Sequence, residues 1–306
     1  MDKECGTIID FHVHPLTKIV GAKNLIKEIR EANVEMTVLL ALDLDSSYLD
    51  NDERRIQFLE SCINAGMGYN TRIIEEVKYI LDIGHVSNEE VASIVKSYPR
   101  MFVGIGSVNP NREIHEIKRI LKKIDELGLI GVKLIPTLQF FNPLKERKKM
   151  ELILEFCERH DKLVVFHTGC DPSIWESPEL SRNSHPKLLE PYIRRFRKVS
   201  FILAHMGSYS ARFPGIWFRD AVELGKLYSN VWFDVSAVPY ILTRREFADI
   251  VSREIGWSRV LFGSDYPVFA GESIRSILDY VMSHHVVSDG DLRMVLRDNA
   301  VRLLGL

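Results

Sequence analysis

Only four cysteines occur in the 306 residues, Cys5, Cys62, Cys157 and Cys170, and no CxxC or zinc-ribbon spacing joins them. That scatter excludes a cysteine-built metal cluster. With no apolar export signal at Met1-Asp2-Lys3-Glu4-Cys5, the thiols read as free, in a reducing compartment, and the expected location is cytoplasmic. No apolar run reaches the length of a bilayer span, so no membrane partner is expected. An excess of one charge is also missing: 40 Lys and Arg face 42 Asp and Glu, a net charge of -2. Without a basic stripe carrying interleaved aromatics, nucleic acid is not an expected partner either. No Gly-rich phosphate turn opens the first helix, which argues against a dinucleotide-binding open sheet. Internal repeats and low-complexity segments are absent too. What remains, at 46% hydrophobic and 27% charged residues, is a soluble globular chain able to bury a large core.

What the chain does contain is a pair of histidines closing an apolar run, Thr7-Ile8-Ile9-Asp10-Phe11-His12-Val13-His14-Pro15. Strict strand alternation puts His12 and His14 on one face with Ile8 and Asp10, and Ile9, Phe11 and Val13 on the other. Three further runs end in the same chemistry: Leu163-Val164-Val165-Phe166-His167, Phe201-Ile202-Leu203-Ala204-His205 and Val260-Leu261-Phe262-Gly263-Ser264-Asp265. One histidine at a strand end is commonly structural. Four strand ends bearing His-x-His, His, His and Asp point to a shared divalent-metal site, because imidazole and carboxylate are the ligands borderline metals take.

The hydrophobic period switches between 2 and about 3.6 along the chain. Helical patterns cover Ala22–Ala32, Glu89–Ser97, Glu113–Leu127, Glu146–His160, Lys187–Arg197, Ile216–Tyr228, Arg244–Ile255, Glu272–Val281 and Asp289–Leu303. Between them fall the runs Met36–Ala41, Met101–Val108, Ile130–Ile135 and Asn230–Ser236, which with the four above make eight strands. Eight strands alternating with helices, most apolar on both faces, fit a closed parallel sheet. The expected fold is α/β: a single-domain (β/α)8 TIM barrel over residues 1–306, with an insertion after strand 2 at about 43–70. In such a barrel the strand ends converge on one face, which is where the candidate ligands lie.

These residues resemble the amidohydrolase superfamily, in particular its amidohydrolase-related branch of metal-dependent hydrolases and aminocarboxymuconate semialdehyde decarboxylase-like enzymes. The matching stretches are Ile9-Asp10-Phe11-His12-Val13-His14, Gly131-Val132-Lys133-Leu134, Phe166-His167-Thr168-Gly169, Ala204-His205-Met206-Gly207, Gly263-Ser264-Asp265-Tyr266-Pro267 and Asn299-Ala300-Val301-Arg302-Leu303-Leu304-Gly305. They span nearly the whole chain in the family's order. One departure is Ile135-Pro136, where the branch often has His-Pro.

The resemblance implies that His12, His14, His167 and Asp265 hold one divalent ion, zinc or else manganese, with a coordination position open for water or substrate. It also implies that Asp265 is both ligand and proton acceptor. His205 is expected beside the ion as general acid/base or as an electrophile toward substrate, the alternative being a fourth nitrogen ligand. From its place on the histidine face, deeper in the barrel, Asp10 is expected either to fix one ligand ring by a hydrogen bond behind it or to be a buried structural carboxylate. Lys133 is expected as a charged wall; in two-metal members of the superfamily a carboxylated lysine there bridges the ions.

Substrate contacts are expected from the loops after the strands, with Trp175, Arg182 and Trp217 as candidates for a small-molecule substrate. His85, His115, His160, His284 and His285 fall on helices or their flanks and read as surface residues. In the insertion, Ile56, Phe58, Leu59 and Ile63 form an apolar stripe that needs cover from its own barrel or from a second copy, and the resemblance favours a homodimer. Three activities fit. The first is hydrolysis of an amide, ester or lactone carbonyl by metal-activated water. The second is non-oxidative decarboxylation of a small unsaturated or aromatic carboxylate. The third is ligand or metal binding without catalysis.

Overall fold

A computed structural model describes residues 7–171, 173–269 and 271–306, so Cys5 lies outside the described residues. The eight apolar runs form eight parallel strands in sequential order: β1 (Ile8–Val13), β2 (Val34–Leu40), β3 (Phe102–Ser107), β4 (Gly131–Leu134), β5 (Leu163–Gly169), β6 (Phe201–Tyr209), β7 (Val231–Asp234) and β8 (Val260–Leu261). The segment running on from β8 returns to β1 through Phe11 N to Phe262 O, Asp265 N to His12 O and His14 N to Tyr266 O, at 2.9–3.0 Å. This is a TIM barrel, as the alternation of elements predicts. No helix among the described residues is long and apolar enough to cross a membrane.

Two apolar layers hold it. Inside the barrel sit Ile9, Phe11, Val38, Leu40, Ile105, Val165, Ile202, Ala204 and Leu261, closed at the bottom by Ala300, Val301, Leu303 and Leu304 of the last helix. Between barrel and helices lies a much larger cluster that includes Ile8, Val13, Leu39, Val132, Leu134, Val164, Phe166, Phe201, Leu203, Phe233 and Phe262. Burying each such side chain contributes about 1.5–3 kcal/mol, so both layers are needed to offset chain entropy.

Strict alternation in β1 is corrected by these layers. Ile9 and Phe11 face the barrel interior, whereas Ile8 and Val13 face the helices, and the β1–β2 pairing shifts between Asp10 and Val13. The phase slips once, so His12 points inward directly after inward-facing Phe11. Asp10 holds the slip: its Oδ1 accepts from His12 N at 3.1 Å and from Ser264 N at 2.9 Å.

The β2–β3 connection carries the helix Asp52–Asn64, capped by the Asn51 side chain on Arg54 N. It lies over its own barrel mouth, with Phe58, Leu59 and Cys62 buried and Phe58 against Phe140 and Trp175 at ring separations of 5.8 and 6.4 Å. Ile56 and Ile63 stay exposed, at 56% and 46%. At 3.6 residues per turn they sit roughly 100° round the helix from the middle of the buried arc, so the four-residue stripe divides.

Candidate metal centre

Every strand end with a candidate ligand delivers it to one buried cluster at the C-terminal face. His12, His14, His167, His205 and Asp265 are all at most 4% exposed. His167 arrives on a regular strand end, and His12 by the slip in β1. His205 follows inward-facing Ala204, so alternation would turn it outward; a φ of +60° at His205 and +50° at Met206 rotates it into the barrel. Asp265 is likewise left-handed, at φ +60°. Such conformations cost about 1–2 kcal/mol per non-glycine residue and persist where the surroundings over-determine them. Gly263 lets the strand ends close up: a Cβ there would lie 2.7 Å from His12 Cβ and 2.8 Å from Ser236 Cβ.

Hydrogen-bond partners assign the imidazole tautomers. His12 Nδ1–H donates to Asp234 Oδ2 at 2.9 Å, His14 Nδ1–H to Leu40 O at 3.3 Å, and His205 Nδ1–H to Ser236 O at 2.8 Å. His167 Nδ1–H donates to His205 Nε2 at 3.1 Å. His12, His14 and His167 therefore each turn an Nε2 lone pair into the cluster, while that of His205 accepts the His167 proton. Burial, reinforced at each ring by neighbouring charge from Lys133 or from other imidazoles, pushes the pKa values of His12, His167 and His205 well below the usual histidine range, and that of His14 down to about 3. Neutral imidazole is the form that binds metal.

The lone pairs converge. His12 Nε2 and His14 Nε2 are 3.2 Å apart, and Asp265 Oδ1 is 3.4 Å from the first and 3.6 Å from the second. His167 Nε2 and Asp265 Oδ2 are buried with no hydrogen-bond partner. A buried acceptor left unpaired costs about 1–3 kcal/mol, and here two stand in one cluster. A divalent cation would satisfy the surroundings of these two unpaired atoms and the facing nitrogens of His12 and His14 together, so the residues fit the ion. Donor atoms of His12, His205 and Asp265 all lie within 4.8 Å of one another, and these three could hold it. His14 adjoins this group through His12 and Asp265, and His167 adjoins it through His205.

Lys133, fully buried at the end of β4, puts Nζ 3.2 Å from His12 Nε2. Burial lowers its pKa, opposed by Asp234 and Asp265; burial raises that of Asp265, opposed by the Lys133 cation. The lysine is the resident positive charge among acceptors.

The carboxylate that fixes ligand rings is Asp234, a residue the sequence reading left in an ordinary strand. Its Oδ2 takes the His12 ring proton, and its Oδ1 accepts from His205 N at 3.0 Å, Ser236 N at 3.1 Å and Ser236 Oγ at 2.5 Å. Asp10, for which the residues left open that role or a structural one, takes the structural one: it bonds the backbone of β1 and of the segment after β8, because the β1 slip turns it away from the interior. The available signal was that β7, like β1, β5 and β6, is an apolar run ending in a polar ligand type. Asp234→Asn keeps an acceptor for the amides but sets an NH2 against His12 Nδ1–H. It is expected to weaken divalent-ion binding about 10–100-fold with unchanged far-UV circular dichroism, measured by competition with a chelating dye. An affinity equal to wild type would remove Asp234 from the site.

Among the segments that follow β2, β4 and β5, Tyr48, Arg54, Phe58, Phe140, Trp175 and Arg182 line a cavity of about 310 Å³ in which no side chain of the cluster takes part. Tyr48 stacks on Phe140 at 4.8 Å, and the Arg54 guanidinium lies 4.3 Å over the Tyr48 ring. Trp175 is buried in the wall and Arg182 pairs with Glu179 at the rim. Trp217, expected with them, does not join this cavity. Its backbone N bonds Gly207 O, and its ring packs on His185 at 4.8 Å beside a separate cavity with Phe218 and Phe247. His85, His115, His160, His284 and His285 are exposed or half-buried, away from the cluster.

With this geometry in hand, comparison with known proteins is specific about family. The amidohydrolase family model matches residues 9–306. No curated protein matches significantly. Among solved structures, an uncharacterized TIM-barrel protein from Bordetella bronchiseptica superposes with a TM-score of 0.70 at 17% identity, over 98% of this chain and 99% of that one. The manganese-bound 5-carboxyvanillate decarboxylase of Novosphingobium aromaticivorans gives 0.65 at 13%, over 99% and 98%. A protein from Acinetobacter baumannii described as a probable 2-pyrone-4,6-dicarboxylic acid hydrolase gives 0.60 at 15%, over 98% and 100%. These likenesses are of fold, and hydrolases and carboxy-lyases share it. The chain belongs to the amidohydrolase family.

Proposed function

We propose that this amidohydrolase-family protein is a metal-dependent hydrolase in which water attacks an amide, ester or lactone carbonyl of a small substrate. The observation that carries the reading is the Asp265 carboxylate. Its Oδ1 faces the His12 and His14 nitrogens while its Oδ2 is buried without a hydrogen bond, so one oxygen is available to a cation and the other to a proton. A divalent cation held there would lower the pKa of water from 15.7 toward about 7 and polarise a carbonyl oxygen. Three imidazoles and a carboxylate favour zinc, with manganese the alternative. Asp265 Oδ2 then takes the proton of the attacking water. His205, oriented by its Nδ1–H on Ser236 O, supplies the second acid/base group through Nε2 once substrate takes the place of the His167 contact there.

A second reading, non-oxidative decarboxylation, draws on the cavity lined by Tyr48 and Trp175. Its aromatic walls with Arg54 and Arg182 suit a planar carboxylate, the kind of compound named in the 5-carboxyvanillate decarboxylase that shares the fold. Trp175 and Arg182 are the proposed substrate contacts in either case. Turnover of a panel of lactones, esters, amides and hydroxybenzoates in 18O-labelled water separates the two. Hydrolysis is expected to place one labelled oxygen in the product and release no CO2. Release of CO2 with loss of a carboxylate would replace the first reading by the second.

A further inference from the structure

Tyr209 stands four residues beyond His205 on β6, a distance of about 13 Å along a regular strand. Its ring nevertheless lies against the His205 ring, with centroids 4.3 Å apart and planes 23° from parallel. The fold-back comes from three successive left-handed residues, His205, Met206 and Gly207 at φ +60°, +50° and +70°. Pairing with β5 runs His167↔Ala204 and resumes at Gly169↔Tyr209, so β6 carries three extra residues in between. The arrangement is locked on both sides. Cys170 N donates to Tyr209 O at 2.5 Å, and Gly169 has room for no side chain, since a Cβ there would lie 2.5 Å from Tyr209 N.

The ring also stands edge-on to His167 at 5.5 Å, and the side chain is 4% exposed. His205, which the ring covers, has a donor atom within 4.8 Å of one on Asp265, so the tyrosine stands over the same cluster. Packing on His205 would be served equally by phenylalanine. What a tyrosine adds is an O–H donor beside imidazoles and a carboxylate that present acceptors. A reaction that builds negative charge on a substrate oxygen, as carbonyl attack and carboxylate loss both do, needs such a donor placed in advance.

We propose that the Tyr209 hydroxyl contacts substrate directly, donating to the oxygen that gains negative charge, across from the cation site and beside His205. The proposal rests on the metal-dependent reading above, and its test keeps the two apart. Metal-depleted full-length protein is titrated with cobalt(II), whose visible absorption reports its coordination, and then with acetohydroxamate as an oxygen-anion probe. Tyr209→Phe is expected to match wild type in melting temperature and, within roughly two-fold, in cobalt affinity. Its acetohydroxamate affinity is expected to fall about 10–100-fold, the scale of one hydrogen bond to a charged acceptor. Tyr209→Leu, which removes the ring too, is expected to weaken the probe no further. Equal probe affinity in wild type and Tyr209→Phe, or loss confined to Tyr209→Leu, would make Tyr209 a packing residue and overturn the proposal. Failure of wild type to take up cobalt would instead remove the metal reading, and this proposal with it.

Discussion

Protein in which His12 and His14 are both alanine is expected to hold no divalent ion, where the wild type holds about one per chain. The two Nε2 atoms are 3.2 Å apart and share Asp265 Oδ1 as neighbour, so the double change removes one side of the donor set. The remaining groups, His167, His205, Asp265 and the Lys133 ammonium, leave a cation with a positive neighbour and fewer donors. Borderline metals lose most of their affinity when two of four ligands go. Elemental analysis after gel filtration reads the result, and stoichiometric metal in the double variant would sink the assignment. Two ions per wild-type chain would be a different finding. It would make Lys133, 3.2 Å from His12 Nε2, the candidate bridge, as the carbamate its amine forms with CO2 on losing a proton.

The second large effect is expected at His205. His205→Ala should keep the ion and lose roughly 10²–10⁴-fold in turnover, the scale of a positioned general acid/base. The geometry makes this a sharp test, because His205 is both within reach of His12 and Asp265 and hydrogen-bonded to His167. Metal content and turnover are measured on the same preparation, with whichever substrate the labelled-water panel identifies. Retained metal with normal turnover would show that His205 does no chemistry. Loss of the ion would make it a ligand, and His167 would then be the imidazole behind it.

Several features of the molecule were legible in the residues alone. The alternation of apolar runs and amphipathic segments predicts eight strands and a parallel barrel, because a strand buried on both faces must be apolar throughout and its crossover must be a helix. The convergence of His12, His14, His167, His205 and Asp265 follows from that topology, since parallel strands in a barrel all end on one face. The scattered spacing also suffices to read Cys62, Cys157 and Cys170 as free thiols; that they are buried is seen in the fold.

Facing and partnership were decided only by the tertiary structure. Alternation is a local rule, and a single register shift against a neighbouring strand cancels it. The slip in β1 turns His12 inward and Asp10 away, and left-handed φ values turn His205 inward, yet neither leaves a mark in composition. Asp234 reads as the end of an ordinary strand until β1 and β7 are brought together, 222 positions apart in sequence, across 2.9 Å. Tyr209 lies four positions past His205 in sequence, and only the fold-back of β6 lays it over that ring. Ile56 and Phe58 look like one stripe until the barrel mouth selects which arc of their helix it buries. The sequence therefore determined the residue types at each strand end, which chemistry constrains one position at a time. Which of those residues touch depended on strand pairing and helix docking, which are properties of the whole barrel.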